Sequence, residues 1–266
     1  MTHRLLTTMT EGRPVVGCWH AIADPTVTET LRDVDLDFLV FDQQHVATTI
    51  ESLQAAFIAL RPTTMAALVR MLRNDPADIG QVLDAGADGV IVPMVNTVEE
   101  ARRAVAAVKY RPEGIRSLGP RRAMLRYDSY EAFVAEANDS ILIAQIETDE
   151  AVTNLDAILS VPGLSAVMIG PGDLAISLGF MSDLENPAVD DVVQAVLDRC
   201  LARGVPFGIF TDSTEKSLSW IERGALIINC YADVVFVTDG MTRMASEFSA
   251  VRGRSRSAQA SGDEGR

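Results

Sequence analysis

The chain of 266 residues is 48% hydrophobic but only 6% aromatic, a balance weighted to Ala, Val, Ile and Leu that suits parallel strands covered by helices. Its formal charge of −14 argues against nucleic acid or an anionic membrane surface as a partner. The first residues, Met1 to Thr8, hold no apolar stretch of signal-peptide length, and no later run approaches a bilayer span, so a cytoplasmic location is expected. Cys18, Cys200 and Cys230 are widely spaced in apolar segments and read as buried thiols rather than a zinc or redox site.

In chain order, the pattern predicts a short leader, a strand over Pro14 to Trp19 and a helix from Pro25 to about Arg32. A second strand, Phe38 to Phe41, ends in Asp42-Gln43-Gln44-His45, with a helix over Thr49 to Leu60. Met65 to Val69 follows as a strand ending in Arg70, then a helix over Pro76 to Ala85 that stops at Gly86. Gly89 to Met94 and Val98 to Val108 make the fourth strand and its helix. From Tyr110 to Tyr127 runs an irregular stretch carrying Arg111, Arg116, Arg121, Arg122 and Arg126, either an anion-gathering lid or a solvated loop, before a helix over Ser129 to Ala137.

Ile141 to Ile146 is a continuous β-branched-rich run, as in a strand buried on both faces, and Glu147 falls where it stops. Residues 166 to 170 repeat the pattern, ending in the tight Gly170-Pro171-Gly172 loop with Asp173 next. A helix over Ala188 to Ala202, a strand over Pro206 to Phe210, a helix over Ser213 to Arg223, a strand over Ala225 to Asn229 and a final helix from about Val234 to Val251 complete the series. Eight strands alternating with helices, at about the usual length of 250 residues, predict a single (β/α)8 TIM barrel over residues 1–251. An open doubly wound sheet is disfavoured, since no G-x-G-x-x-G follows the first strand. Residues 252–266 carry four Arg against one Asp and one Glu, so the body stands near −16, and this Ser-, Gly- and Arg-rich tail is expected to be disordered.

Catalytic groups of such barrels gather at the C-terminal strand ends. Those ends present Asp42 and His45, Arg70, Glu147 and Asp173. Each has a structural alternative: Asp173 as a helix N-cap, Glu147 beside a helix N-terminus, Arg70 paired with Asp75, Asp42 capping a turn, His45 as an ordinary loop residue. Together they fit enolate chemistry. Two facing carboxylates make a hard oxygen site for Mg²⁺ or Mn²⁺, Arg70 offers a donor to an enolate oxygen, and His45 is a proton carrier at neutral pH. A Schiff-base route is unfavoured, because Lys109 and Lys216 are the only lysines and both fall in predicted helices.

The ordered blocks Phe41-Asp42-x-x-His45, Val69-Arg70, Asp84-Ala85-Gly86-Ala87, Val92-Pro93-Met94-Val95, Tyr110-x-Pro112-x-Gly114-x-Arg116, Gln145-Ile146-Glu147-Thr148 and Ile169-Gly170-Pro171-Gly172-Asp173-Leu174 resemble the metal-dependent class II pyruvate aldolases of the 4-hydroxy-2-oxoheptanedioate aldolase and citrate lyase β-subunit group, over roughly residues 5 to 250. The resemblance implies a divalent cation (Mg²⁺, Mn²⁺ or Co²⁺) on Glu147 and Asp173, with His45 as base and Asp42 or Asp84 orienting it. It further implies Arg70 on the enolate oxygen, and Gln145 and the backbone at Gly172 on the pyruvyl carboxylate. It also implies a homo-oligomer, the family's form being a hexamer with an exchanged C-terminal helix. Two departures stand out: Gln43-Gln44-His45 where the family has Gly-Glu-His, and Gly172-Asp173 where it has Ala-Asp.

The expected reaction is reversible cleavage of a 4-hydroxy-2-oxo acid to pyruvate and an aldehyde. The alternatives are an oxaloacetate decarboxylase working through the same enolate, and a catalytically silent barrel that binds a 2-oxo acid.

Overall fold

A computed structural model describes residues 4–61, 63–181, 183 and 186–260. The strands are β1 (Val15–His20), β2 (Phe38–Asp42), β3 (Ala66–Arg70), β4 (Gly89–Val92), β5 (Ile141–Ile146), β6 (Ala166–Ile169), β7 (Phe207–Thr211) and β8 (Ile227–Ala232). All pair in parallel, in sequence order, and β8 closes on β1, which makes the expected TIM barrel. The helices are α1 (Arg4–Thr10), α2 (Pro25–Leu31), α3 (Ile50–Leu60), α4 (Pro76–Ala85), α5 (Val98–Val108), α6 (Tyr130–Ala137), α7 (Asp149–Thr153), α8 (Leu155–Leu159), α9 (Pro171–Ser177), α10 (Pro187–Arg203), α11 (Thr214–Arg223) and α12 (Asp233–Ala260).

Local chemistry sets the helix limits. Asp75 caps α4 through the N–H groups of Ala77 and Asp78, Pro76 occupies its first turn, and Gly86 ends it in the left-handed region at φ 104°. Thr97 and Glu100 form a reciprocal capping box at the start of α5.

Strand alternation divides the apolar residues into two cores. Inside the barrel, Val15, Phe38, Ala66, Leu68, Ile91, Ile143, Met168 and Ile227 pack together. Leu5 and Met9 of α1 join this cluster, so a helix missing from the sequence reading plugs one end of the barrel. Phe41, Val69, Val92, Ile146 and Ile169 point outward into the larger core beneath the helices.

The chain end departs from expectation. The segment from 252, expected to be disordered, is helical through Ala260: despite Gly253, Ser255 and Ser257 it extends an already nucleated helix that no proline interrupts. Residues 261–266 of that tail lie outside the described residues. Before it, α12 leaves the barrel with Val234, Val235, Phe236, Val237, Met241, Met244 and Phe248 all exposed. At its base, Asp233 accepts from Nδ1 of the buried His20 at 2.6 Å and from the N–H groups of Ala21 and Ile22 at 3.0 Å. The other ring nitrogen, Nε2, lies 2.7 Å from the hydroxyl of Thr28, which also donates to the Asp24 carbonyl, so the ring is held from both sides. Burial alone raises the Asp233 carboxyl, but the hydrogen bonds and the charge of His20 outweigh it and hold the pKa low. Among the described residues no helix is long and apolar enough to cross a membrane.

Candidate active site

Asp42 and Arg70 end neighbouring strands in register, which places their side chains side by side at the C-terminal rim. Arg70 Nε donates to Asp42 Oδ1 at 2.9 Å and Nη2 donates to Oδ2 at 2.7 Å. Both residues are buried, and the guanidinium lies 4.3 Å from the centre of the Trp19 ring. Asp75 does not compete for Arg70, because it is the α4 cap. Asp42 also accepts the N–H of Gln44 at 2.9 Å and of His45 at 3.4 Å. It therefore shapes the loop carrying His45 through the backbone rather than gripping the imidazole. The His45 side chain is exposed at this rim.

Glu147 follows β5 and is only 1% exposed. Its Oε1 accepts the N–H of Met94 at 2.8 Å, and its Oε2 accepts from Gln145 Nε2 at 2.5 Å. Met94 makes that bond from a left-handed backbone, φ 53°, an uncommon conformation for a side-chain-bearing residue. Burial, reinforced by the charge of Asp173 and opposed by Arg70 and the hydrogen bonds, pushes the Glu147 pKa up to about 7. Gly170 is the N-cap of α9, and Asp173 sits in that helix's first turn rather than capping it.

The two carboxylates converge on Gly170. A Cβ there would stand 3.0 Å from Glu147 Oε2, 3.7 Å from Asp173 Oδ2 and 2.9 Å from Gln145 Nε2, so only glycine leaves the space between them open. Gln145 Oε1 is buried in the same place without a hydrogen-bond partner in the protein. Hard oxygen donors around a space that a methyl group would fill suit a small divalent cation. Among the described residues no third His, Cys, Asp or Glu joins the pair, which leaves positions for water and substrate oxygens.

The structure thus brings together Asp42, Arg70, Gln145, Glu147 and Asp173, with His45 on the same rim. It does not bring Asp84. That residue lies near the end of α4, at the opposite end of the barrel, where Arg116 Nη2 donates to it at 2.7 Å. An orienting role toward the His45 of the same chain does not fit that position. The arginine stretch is there too: Arg116 holds Asp84, Arg122 donates to the Ala85 carbonyl and Arg126 pairs with Asp88 at 3.4 Å, so it is no lid over this chain's own site. Gly172 is exposed with open space around it, and the close approach belongs to Gly170. Sequence reasoning missed Gly170, Trp19 and Met94. In the altered Gln43-Gln44-His45 stretch, Gln44 Oε1 is buried without a protein partner.

Residues 15–239 match the model of the HpcH/HpaI aldolase/citrate lyase family. The chain belongs to that family. Family membership makes it an aldolase-type lyase. It is 34% identical to the 4-hydroxy-2-oxo-heptane-1,7-dioate aldolase of Salmonella arizonae, over 90% of this chain and 92% of that protein. Among solved structures, an HpcH/HpaI aldolase from Desulfitobacterium hafniense superimposes with a TM-score of 0.84 at 29% identity, over 91% of this chain and 95% of the other. The citrate synthase SbnG gives the same TM-score and identity over 94% of this chain and 98% of its own.

Proposed function

We propose that this HpcH/HpaI family member reversibly cleaves a 4-hydroxy-2-oxo acid to pyruvate and an aldehyde, as a metal-dependent lyase. The observation that carries the reading is the convergence of Glu147 Oε2 and Asp173 Oδ2 on Gly170, beside the unpartnered Gln145 oxygen. Glu147 and Asp173 would hold Mg²⁺, Mn²⁺ or Co²⁺, and such an ion supplies Lewis-acid stabilisation of an enolate oxygen. Arg70, held by Asp42 through Nε and Nη2, keeps Nη1 to donate to that oxygen. Gln145 and the backbone around Gly170 and Gly172 line the place for the pyruvyl carboxylate. His45 is exposed where a proton must pass between the C4 hydroxyl and solvent, and acts as the general base of cleavage. Asp42 positions it through the loop backbone; Asp84 lies too far along its own chain to orient the same chain's His45.

The exposed apolar face of α12 supports a homo-oligomer in which this helix packs on another copy, and the family's hexamer is the form we favour. The chain's location is taken as cytoplasmic.

The test is deuterium exchange at C3 of pyruvate in D₂O, with and without exhaustive chelation. Exchange should vanish on chelation and return with Mg²⁺, Mn²⁺ or Co²⁺; undiminished exchange by rigorously metal-free protein would sink the metal assignment. Aldehyde-dependent product formation then separates the aldolase from a decarboxylase.

A further inference from the structure

The opening around the candidate site is built by the strand ends, the loops after them and the first helical turns. Arg70, Arg73 and Lys216 are the cations in that belt, and no Lys or Arg occurs between 171 and 186. Each of the three is occupied. Arg70 is bound twice by Asp42, Arg73 Nε pairs with Asp78 at 3.0 Å, and Lys216 Nζ pairs with Asp212 at 3.0 Å. Beyond Glu147 and Asp173, whose charge the proposed cation would balance, the same belt carries Asp149, Asp183 and Asp212. An aldehyde bearing a carboxylate would therefore enter a field of its own sign and meet no uncommitted cation of this chain's rim.

The mouth offers apolar surface instead. Trp19 on β1 and Phe210 on β7 are half-buried near the rim, with ring centroids 6.3 Å apart and planes tilted by 46°. Trp19 covers the Arg70 guanidinium, so this aromatic wall begins at the enolate donor and extends away from it. Leu72 and Met94, 53% and 47% exposed, lie in the loops after β3 and β4 on the same rim.

We propose that the aldehyde partner is uncharged and apolar, an aryl or alkyl aldehyde seated on Trp19 and Phe210, and that it lacks the second carboxylate in the name of the Salmonella relative's substrate. The inference rests on the pyruvate aldolase reading. In the addition direction pyruvate C3 loses a proton and bonds to the aldehyde carbon, whose oxygen takes up a proton, so no further co-reactant is needed.

Matched pairs test it: benzaldehyde against 4-formylbenzoate, and hexanal against 6-oxohexanoate, each with pyruvate and the metal-supplemented full-length protein. The neutral member of each pair should be favoured in kcat/KM by about tenfold or more, and added salt should narrow the gap by screening the rim. A Phe210→Arg variant, checked for folding by circular dichroism, should erase or reverse the preference. Equal use of both members, or preference for the carboxylates by wild-type protein, overturns the inference. Deuterium exchange into pyruvate without aldehyde separates the two levels: exchange together with carboxylate preference removes only this inference, whereas no exchange removes the aldolase reading beneath it.

Discussion

Replacing Arg70 with alanine should cost both stability and turnover, and the two losses can be separated. Arg70 and Asp42 are 9% and 5% exposed and joined by two charge-assisted bonds, so the alanine variant strands a carboxylate in a nearly dry site. Breaking a buried pair in this way costs about 3–5 kcal/mol. The N–H groups of Gln44 and His45 still bond to Asp42 and bring the expectation to the lower end. At about 2–4 °C per kcal/mol for a domain of this size, the melting temperature should fall by roughly 6–12 °C. Adding Asp42→Asn removes the stranded charge while keeping an acceptor for the loop, and should recover about 1–2 kcal/mol. It should leave the turnover loss of about 10²–10³-fold in place, since the enolate donor is still missing. Denaturant unfolding followed by circular dichroism, beside metal-saturated turnover, measures both. Wild-type stability in Arg70→Ala, a double variant no more stable than the single, or near-normal turnover in either would refute the reasoning.

His45→Ala should lose aldol cleavage by about 10²–10⁴-fold while keeping much of any oxaloacetate decarboxylation, which removes no hydroxyl proton; Arg70→Ala should damage both, and equal loss of both reactions in His45→Ala contradicts the base assignment. Glu147 gives a pH prediction for the chelated protein. Its pKa is raised from 4.5 to about 7, so the folded chain binds more protons than the unfolded one across that window, and stability should fall as pH rises from about 4.5 through 7. In Glu147→Gln that decline should flatten, and an unchanged slope by thermal unfolding argues against the buried carboxyl as its source. Truncation just before Val234 removes the exposed apolar face of α12 and should leave a smaller species by light scattering; an oligomer of undiminished order would show that α12 does not hold the assembly.

The barrel was legible because each strand is a short apolar run ending in polar residues, and Ile141 to Ile146 is buried throughout as such a run requires. The carboxylate pair was legible for the same reason: Glu147 and Asp173 follow neighbouring strands. Which Asp serves which partner was harder, because cross-strand register decides it. Asp42 lies opposite Arg70, a pairing that two strands each ending in a charged residue already hinted at. The distance of Asp84 from its own chain's His45 could have been read on similar grounds, since Ala85 and Gly86 end a helix that runs back toward the strand beginnings. Gly170 was hidden beside Gly172, although it continues the inward alternation of Ala166 and Met168 where Gly172 belongs to the helix. The last strand runs to Ala232, three residues past the expected Asn229, where β1 shifts register between Gly17 and Trp19 and Tyr231 turns left-handed at φ 62°. Helix α1 has only seven residues and no acidic or basic bias at its ends, so nothing local announces it.

The plug formed by α1 has a kinetic meaning. With Leu5 and Met9 packed against Val15, Phe38 and Ile227, α1 covers the barrel's floor among the described residues, and what reacts must use the opposite doorway. Gln145 and Glu147 lie deep, at 2% and 1% exposure, while Trp19 and Phe210 stand half-open above them. Ligands in such a blind well queue in order of depth: pyruvate enters first and leaves last, and the aldehyde comes and goes above it. Product inhibition then carries the signature of an ordered mechanism, with pyruvate competing against the cleavable 4-hydroxy-2-oxo acid for the empty enzyme and the aldehyde acting only on the pyruvate complex.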